Sequence, residues 1–378
     1  MSFSDMTNNS SSNEYGRKIN KLSPDCAKLI RSSLVITSPT QILYELMLNS
    51  IDSGAFKISI TFDMITMNIT IIDNGNGISP QDFKHCAEHN STSRISCFED
   101  LRNSSFYGFR GESLACIGDI SYLQIESKVL FEDEPSVKII QEGRLIYCGF
   151  LSKCNIHSNP LHLDDGSFGE SWTKIQVNSL FNNQPVRRRH LFHTSLSTSD
   201  HSSDITPANL SENHGTKRNI SVGKRWGRSL LSVARSIWML LPQLSISFLA
   251  KGTGEEDISF TSGSGDTDKA MFCFLFGLDK VRHLHSLQFS SQRNSQRHAH
   301  PNSAVSQSHL NHALLHNIPF PFTFSFTGII STPGYGTSSK QIQFVFVNGR
   351  ICKGTPLHTL LNDLLCFSYL PDGFLNQQ

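Results

Sequence analysis

The sequence predicts an α+β fold: a mixed sheet with helices on one face, followed by a second α+β unit. Three observations predict it. Ser-Pro helix starts occur at Ser23-Pro24, Ser38-Pro39 and Ser79-Pro80, each pairing an N-cap hydroxyl with a first-turn proline. Between them run stretches of apolar alternation, Ile58, Ile60, Phe62 and Ile69, Ile71, the period-two pattern of half-buried strands. The order helix, strand, strand, helix, then further strands mixes the two types within one unit.

Taken in order, residues 1–22 are polar and form a flexible lead-in, without the apolar core of a signal peptide. Ser23-Pro24 opens a short helix over Asp25–Ser32, and Ser38-Pro39 a longer one to about Ser53, with Gly54 where a C-cap belongs. Strands follow at Lys57–Phe62 and Asn68–Asp73, then a helix from Ser79-Pro80 to about Glu88. Residues 89–113, rich in Ser, Gly and Arg, form a long ordered loop. Strands are expected over 119–130, 136–149 and 173–178, closing a first domain at 23–192. His193–Arg218 is dense in Ser, Thr, Asn and His and reads as a disordered linker, 193–218. The second domain, 219–366, opens with helical spacing at Leu230, Val233, Ala234, Ile237, Trp238 and Leu241. It continues with strands near 244–250, 270–276, 321–330 and 342–347 and a helix near 355–366. A low-complexity insertion occupies 290–316, and 367–378 form a tail. Phe320, Phe322, Phe324 and Phe326 alternate, as strand core does.

Composition excludes several classes. A formal charge of +1 rules out a histone-like polycation or an acidic tail, while allowing a local basic patch. The nine cysteines are scattered without CxxC spacing, so neither a zinc knuckle nor a redox motif is indicated and a reducing compartment is expected. The most apolar stretch, Leu230–Ala250, is interrupted by Arg235, Pro242 and Gln243. It is expected to be core, and the protein soluble and intracellular with no membrane partner. His298, His300, His309, His312 and His316 lie in the insertion without acidic partners, and no metal site is expected there.

Three segments carry chemistry. Glu45, Asn49 and Asp52 stand at i, i+4 and i+7, on one helix face. Such a stripe is either a solvated face or an acid–amide pair that holds hydrated Mg²⁺ and polarises a water. Asp73-Asn74-Gly75-Asn76-Gly77 ends a strand. It is either a plain turn or a carboxylate that accepts from an adenine amino group, with glycines letting the backbone approach the ring. Gly108 and Gly111 precede a helix start at Ser113, where backbone N–H groups form an anion site.

In order and spacing these segments resemble the GHKL ATPases (gyrase, the Hsp90 chaperone, histidine kinases, MutL). Phe106–Ala115, FYGFRGESLA, resembles the MutL signature. So do Ser91-Thr92-Ser93-Arg94-Ile95, Leu180-Phe181 with Gln184-Pro185-Val186-Arg187-Arg188, and the strand Phe344–Arg350. On these motifs, which span roughly 23–366 apart from the two insertions, the chain is identified as a member of the MutL family. The form Glu45-Leu46-Met47-Leu48-Asn49-Ser50-Ile51-Asp52 has Leu48 where most branches carry Glu. It is similar to the third eukaryotic MutL homologue, the meiotic branch, as is Leu357–Leu365.

The resemblance implies a GHKL (Bergerat) ATPase sandwich followed by a ribosomal S5-like transducer domain, with ATP and Mg²⁺ as cofactors. Glu45 would be the general base, Asn49 the Mg²⁺ ligand with Asp52 beside it, and Asp73 the adenine reader with Gly75 and Gly77 shaping the pocket. Ser93, Arg94, Gly108, Phe109, Arg110, Gly111 and Glu112 would form a phosphate lid, and Thr173 would sit near the adenine. Arg187, Arg188 and Arg189 are either a solvated loop or contacts to the DNA backbone. Implied partners are DNA, another MutL homologue joined through a C-terminal region not in this chain, and a MutS-type complex, all in the nucleus.

Two departures stand out. Trp172 occupies the usual Gly of the Gly-Thr strand, where it either crowds the nucleotide or shifts the strand. The lysine that reaches the γ-phosphate from beyond Asn348-Gly349-Arg350 has no counterpart, Lys353 being too near. The expected function is the ATP-binding region of a mismatch-repair protein, an ATP-driven clamp on DNA. The alternative is a truncated, non-hydrolysing module that binds DNA or a partner.

Overall fold

Ser23, Ser38 and Ser79 each cap a helix, their side chains accepting from the backbone N–H groups of Cys26, Gln41 and Asp82. The helices are α1 (Pro24–Val35), α2 (Pro39–Asp52) and the short α3 (Pro80–Phe83). The computed structural model describes residues 20–93, 107, 111–154, 169–193, 212–252, 257–263, 267–291, 324–331, 343–348, 350–352 and 355–367.

One eight-stranded sheet organises the molecule. Its strands are β1 (Lys57–Asp63), β2 (Ile69–Asp73), β3 (Tyr122–Lys128), β4 (Ser136–Gln141), β5 (Arg144–Phe150), β6 (Trp172–Asn178), β7 (Ser245–Lys251) and β8 (Ile258–Thr261). Their spatial order is β5-β4-β3-β6-β2-β1-β7-β8. All pairings are antiparallel except β1 with β7, which is parallel. Ile58, Ile60, Phe62, Ile69, Ile71, Ile125 and Val177 are buried on this sheet, against Ile42, Leu43, Leu46 and Met47 of α2 and against α4 (Ser113–Asp119).

The remaining helices are α5 (Pro185–His193), α6 (Glu212–Leu240), α7 (Asp268–Phe276), α8 (Leu278–Val281) and α9 (Pro356–Phe367). Two antiparallel pairs complete the described residues: β9 (Leu284–Ser291) with β10 (Phe324–Ser331), and β11 (Phe346–Val347) with β12 (Arg350–Ile351).

The structure corrects the sequence reading at several places. Residues 136–149 form two strands, turned at Glu142-Gly143 in positive φ. The helix after Ser79 stops at Phe83. The basic run 187–189 is helical, within α5, and 212–218 of the expected linker belong to α6. Residues 270–276 are helical: Thr267 caps the Ala270 N–H, and a short apolar run does not distinguish strand from helix by period. The strands β8 and β9 were not anticipated. The domain boundary expected at 218/219 is crossed by the sheet itself, because β7 extends β1 over seven residue pairs, Lys57↔Ser245 to Asp63↔Lys251. Residues 94–106, most of the expected loop, lie outside the described residues, as do 194–211 and 292–323.

Candidate functional site

Helix α2 presents Glu45, Asn49 and Asp52 on one half-buried stripe. Both Glu45 oxygens are engaged. Oε1 accepts from Gln41 Nε2 at 2.8 Å, one turn earlier, and Oε2 accepts from Ser113 Oγ of α4 at 2.6 Å. Asp52 Oδ1 accepts the Tyr107 backbone N–H at 2.9 Å.

Asp73 ends β2, 3% exposed. Its Oδ2 accepts from Ser50 Oγ at 2.7 Å and its Oδ1 from the Gly75 N–H at 2.9 Å. Burial pushes its carboxyl above the ordinary range, against the opposing pull of those two donors. Ser50 is itself 2% exposed, on the buried face of α2. One helix therefore carries the outer stripe of the site and grips its inner carboxylate. Thr173 pairs directly with Asp73 across β6 and β2, and its hydroxyl lies 3.0 Å from Ser127 Oγ, which accepts the Ile78 N–H.

The glycines Gly75 and Gly77 sit in a tightly packed turn. A Cβ on Gly75 would stand 2.0 Å from Ser53 Oγ, and one on Gly77, where φ is +74°, 2.2 Å from the Lys128 carbonyl. The space beside each is filled by the protein's own chain. At both positions the close packing of the turn leaves no room for a side chain.

Trp172 precedes Thr173 and pairs with Lys128. Alternation puts its side chain on the sheet face opposite Asp73 and Thr173, so it does not crowd that side. Arg187 is also reassigned. Its guanidinium donates to the Ser33 and Ile36 carbonyls at 2.8 and 3.0 Å and stacks 4.6 Å over the Phe181 ring. It is a structural clip between α5 and the end of α1. Arg189 is exposed, and Arg188 donates to Asn182 at 3.1 Å.

Ser93, Gly111 and Glu112 are described; Arg94, Gly108, Phe109 and Arg110 lie outside the described residues, and so does Lys353. Gly111 has φ +62° and packs on the Ser91 carbonyl. Arg350 reaches the same neighbourhood from β12, donating to the Tyr107 carbonyl at 3.1 Å. Sequence reasoning missed Ser50, Ser113 and His89. Ser50 carried a usable signal, a polar residue next to Asn49 on the otherwise apolar face of α2; the other two are joined to the site by the fold alone.

Residues 36–141 match the family described as histidine kinase-, DNA gyrase B-, and HSP90-like ATPase. Over 345 residues, 91% of this chain, the sequence is 26% identical to human "DNA mismatch repair protein Mlh3", covering 18% of that protein. It is 35% identical over 174 residues to "DNA mismatch repair protein MutL" of Leptospira biflexa, 46% of this chain and 26% of that one. Residues 36–141 carry the match to that ATPase family, and the chain is similar in sequence to MutL-type mismatch-repair proteins. The Arabidopsis thaliana "DNA mismatch repair protein MLH3" is 29% identical over 163 residues, 43% of this chain and 13% of that protein.

A solved structure described as the N-terminal domain of a DNA repair protein has the same fold. Its TM-score is 0.56 at 20% identity, covering 86% of this chain and 78% of that one. This chain spans about a quarter or less of the length of these curated MutL relatives. Among the described residues no helix is long and apolar enough to cross a membrane.

Proposed function

We propose that the chain is the ATP-binding region of a MutL-type mismatch-repair protein, with the nucleotide held between α2 and the end of β2. The observation that carries this reading is the double use of α2. Ser50 fixes Asp73 on one side while Glu45, one turn from Asn49, is held by Ser113 on the other.

Asp73 keeps lone pairs beyond the two bonds it accepts, which suits an amino group. The donor set fits magnesium as well: the Asn49 side chain supplies a hard amide oxygen, with carboxylates of Glu45 and Asp52 on the same face. Bound there, Mg²⁺ would neutralise phosphate charge. Glu45, oriented by Gln41 and Ser113, would take the proton of an attacking water. Gly111 and Glu112, at the start of α4, would lie on the phosphate side, with Thr173 on the base side.

On this reading ATP closes the protein on DNA and hydrolysis reopens it. Arg188 and Arg189 contact the DNA backbone, a second MutL homologue and a MutS-type complex are partners, and the site of action is the nucleus. Similarity to Mlh3 sequences from human and Arabidopsis supports the branch associated with meiosis.

The test is direct. A fluorescent ATP analogue with Mg²⁺ should bind the purified chain, and Asn49→Ala should lose that affinity. Glu45→Ala should still bind while phosphate release falls about 10²–10⁴-fold, the range of a general base. Release unchanged in Glu45→Ala removes that residue from the chemistry, and no binding at all removes the reading.

A further inference from the structure

We infer that His89 is a positioning residue for Glu45: its two ring nitrogens bridge Glu112 and Asp119 and so clamp the α4 helix whose first residue, Ser113, holds the Glu45 carboxylate. The inference rests on the nucleotide reading above.

His89 Nδ1 lies 2.6 Å from Glu112 Oε2 and Nε2 lies 2.8 Å from Asp119 Oδ2. The two carboxylates are seven residues apart, at the N-cap and the last residue of α4, so both fall on one helix face. A neutral imidazole donates from one nitrogen only and would turn a lone pair toward the other carboxylate. The imidazolium satisfies both contacts, and each is then a charge-assisted bond.

The surrounding charges agree. From α1, Lys28 lies 2.9 Å from Asp119 Oδ1, Ser32 donates to Asp119 Oδ2, and Arg31 stands near Cys116. From β4, Lys138 is occupied with the Lys84 and Cys86 carbonyls. On the histidine's own segment, Glu88 pairs with His85, and the Asn90 N–H donates to Glu112 Oε1. Two carboxylates thus face one ring and one lysine, and neutralising the ring leaves them short of one cation. The ring side chain is 18% exposed, beside a surface cavity of about 190 Å³ lined also by Lys28, Asp119 and Lys138.

Ser113 follows Glu112 directly. Fixing Glu112 therefore fixes the hydroxyl that donates to Glu45 at 2.6 Å. Cys116 is near enough to join His89 and Glu112 in holding a metal ion. Its thiol is buried and pushed up to about 11, and both ring nitrogens already face carboxylates, so a proton suits the group better than a cation.

The experiment uses the full chain and two readouts. The first is hydrogen exchange at the amides of residues 114–117. Protection should fall about tenfold in His89→Ala, the scale of one charge-assisted bond, and be kept in His89→Arg, which also offers two donors. Protection that is unchanged by His89→Ala overturns the clamp.

The second readout is ATP turnover. His89→Ala should lower kcat about tenfold with the affinity for a fluorescent ATP analogue unchanged, and His89→Arg should restore it. Altered exchange with unaltered kcat severs the link to Glu45. Altered exchange in a chain that neither binds nor cleaves ATP sinks the nucleotide reading and leaves the clamp standing. A thiolate-to-metal absorption band on adding Co²⁺ reassigns the group as a metal centre and overturns the proposal.

Discussion

Asp73 shows what burying a carboxylate does to stability. Its carboxyl is raised above the ordinary value because burial outweighs the Ser50 and Gly75 donors. A group with a raised folded value binds more protons folded than unfolded. Its stabilising contribution is therefore complete below the ordinary carboxylate value and is lost as pH rises through the folded value. Asp73→Asn keeps the shape, accepts from the Gly75 N–H and donates to Ser50. We expect its melting temperature at pH 7 to exceed that of the unmodified chain while binding of the fluorescent ATP analogue is lost. A melting temperature that drops would show the charge to be stabilising.

Arg187 makes the opposite case, a residue whose motif suggests DNA and whose contacts are internal. Losing its bonds to Ser33 and Ile36 should cost about 3–6 kcal/mol in denaturant unfolding, each being a hydrogen bond to a charged group. Arg189→Ala should leave unfolding unchanged and reduce the salt dependence of DNA binding by about one ion. Equal effects of the two substitutions on DNA binding would contradict this division.

At the scale of elements, the turn from Asp73 to Gly77 is held by packing on α2 and β3. Gly77→Ala combines a left-handed φ with a methyl group 2.2 Å from the Lys128 carbonyl. We expect at least about 2 kcal/mol of destabilisation, since backbone cannot yield as a side chain does. Gly75→Ala collides with a side chain instead, Ser53 Oγ at 2.0 Å. Adding Ser53→Gly should therefore recover most of its loss, and Tm measurements on the single and double variants decide it.

Legibility followed the same line between local and distant causes. The three Ser-Pro starts and the alternating β1 and β2 were readable because a cap or a pleat is written in adjacent residues. Met271–Phe276 misled because a short apolar run has no decisive period, and the cap at Thr267 outweighs it. The stripe Glu45, Asn49, Asp52 was visible in the helix period. The Ser113 and His89 bonds were not, because they join residues 68 and 23–30 apart that only the folded α4 brings together.

The whole molecule is organised by a sheet that ignores the compositional break after α5. Strand β7 covers the edge of β1 along its full length, and α6 buries Leu230, Leu231, Ala234, Ile237 and Trp238 in the same core as α2. The larger of these side chains contribute roughly 1.5–3 kcal/mol each when fully buried, Ala234 less. Five together are comparable with the entire stability of a domain, about 5–15 kcal/mol. A fragment ending at residue 193 would lose all of this and leave β1 as an open edge, a template for association. A fragment ending at residue 263 keeps the complete eight-stranded sheet. We expect 20–263 to be monomeric and to melt in one cooperative step, and 20–193 to aggregate or to lack a transition, by calorimetry and light scattering. A folded, monomeric 20–193 would return the boundary to the linker and make α6 and β7 part of the second unit after all.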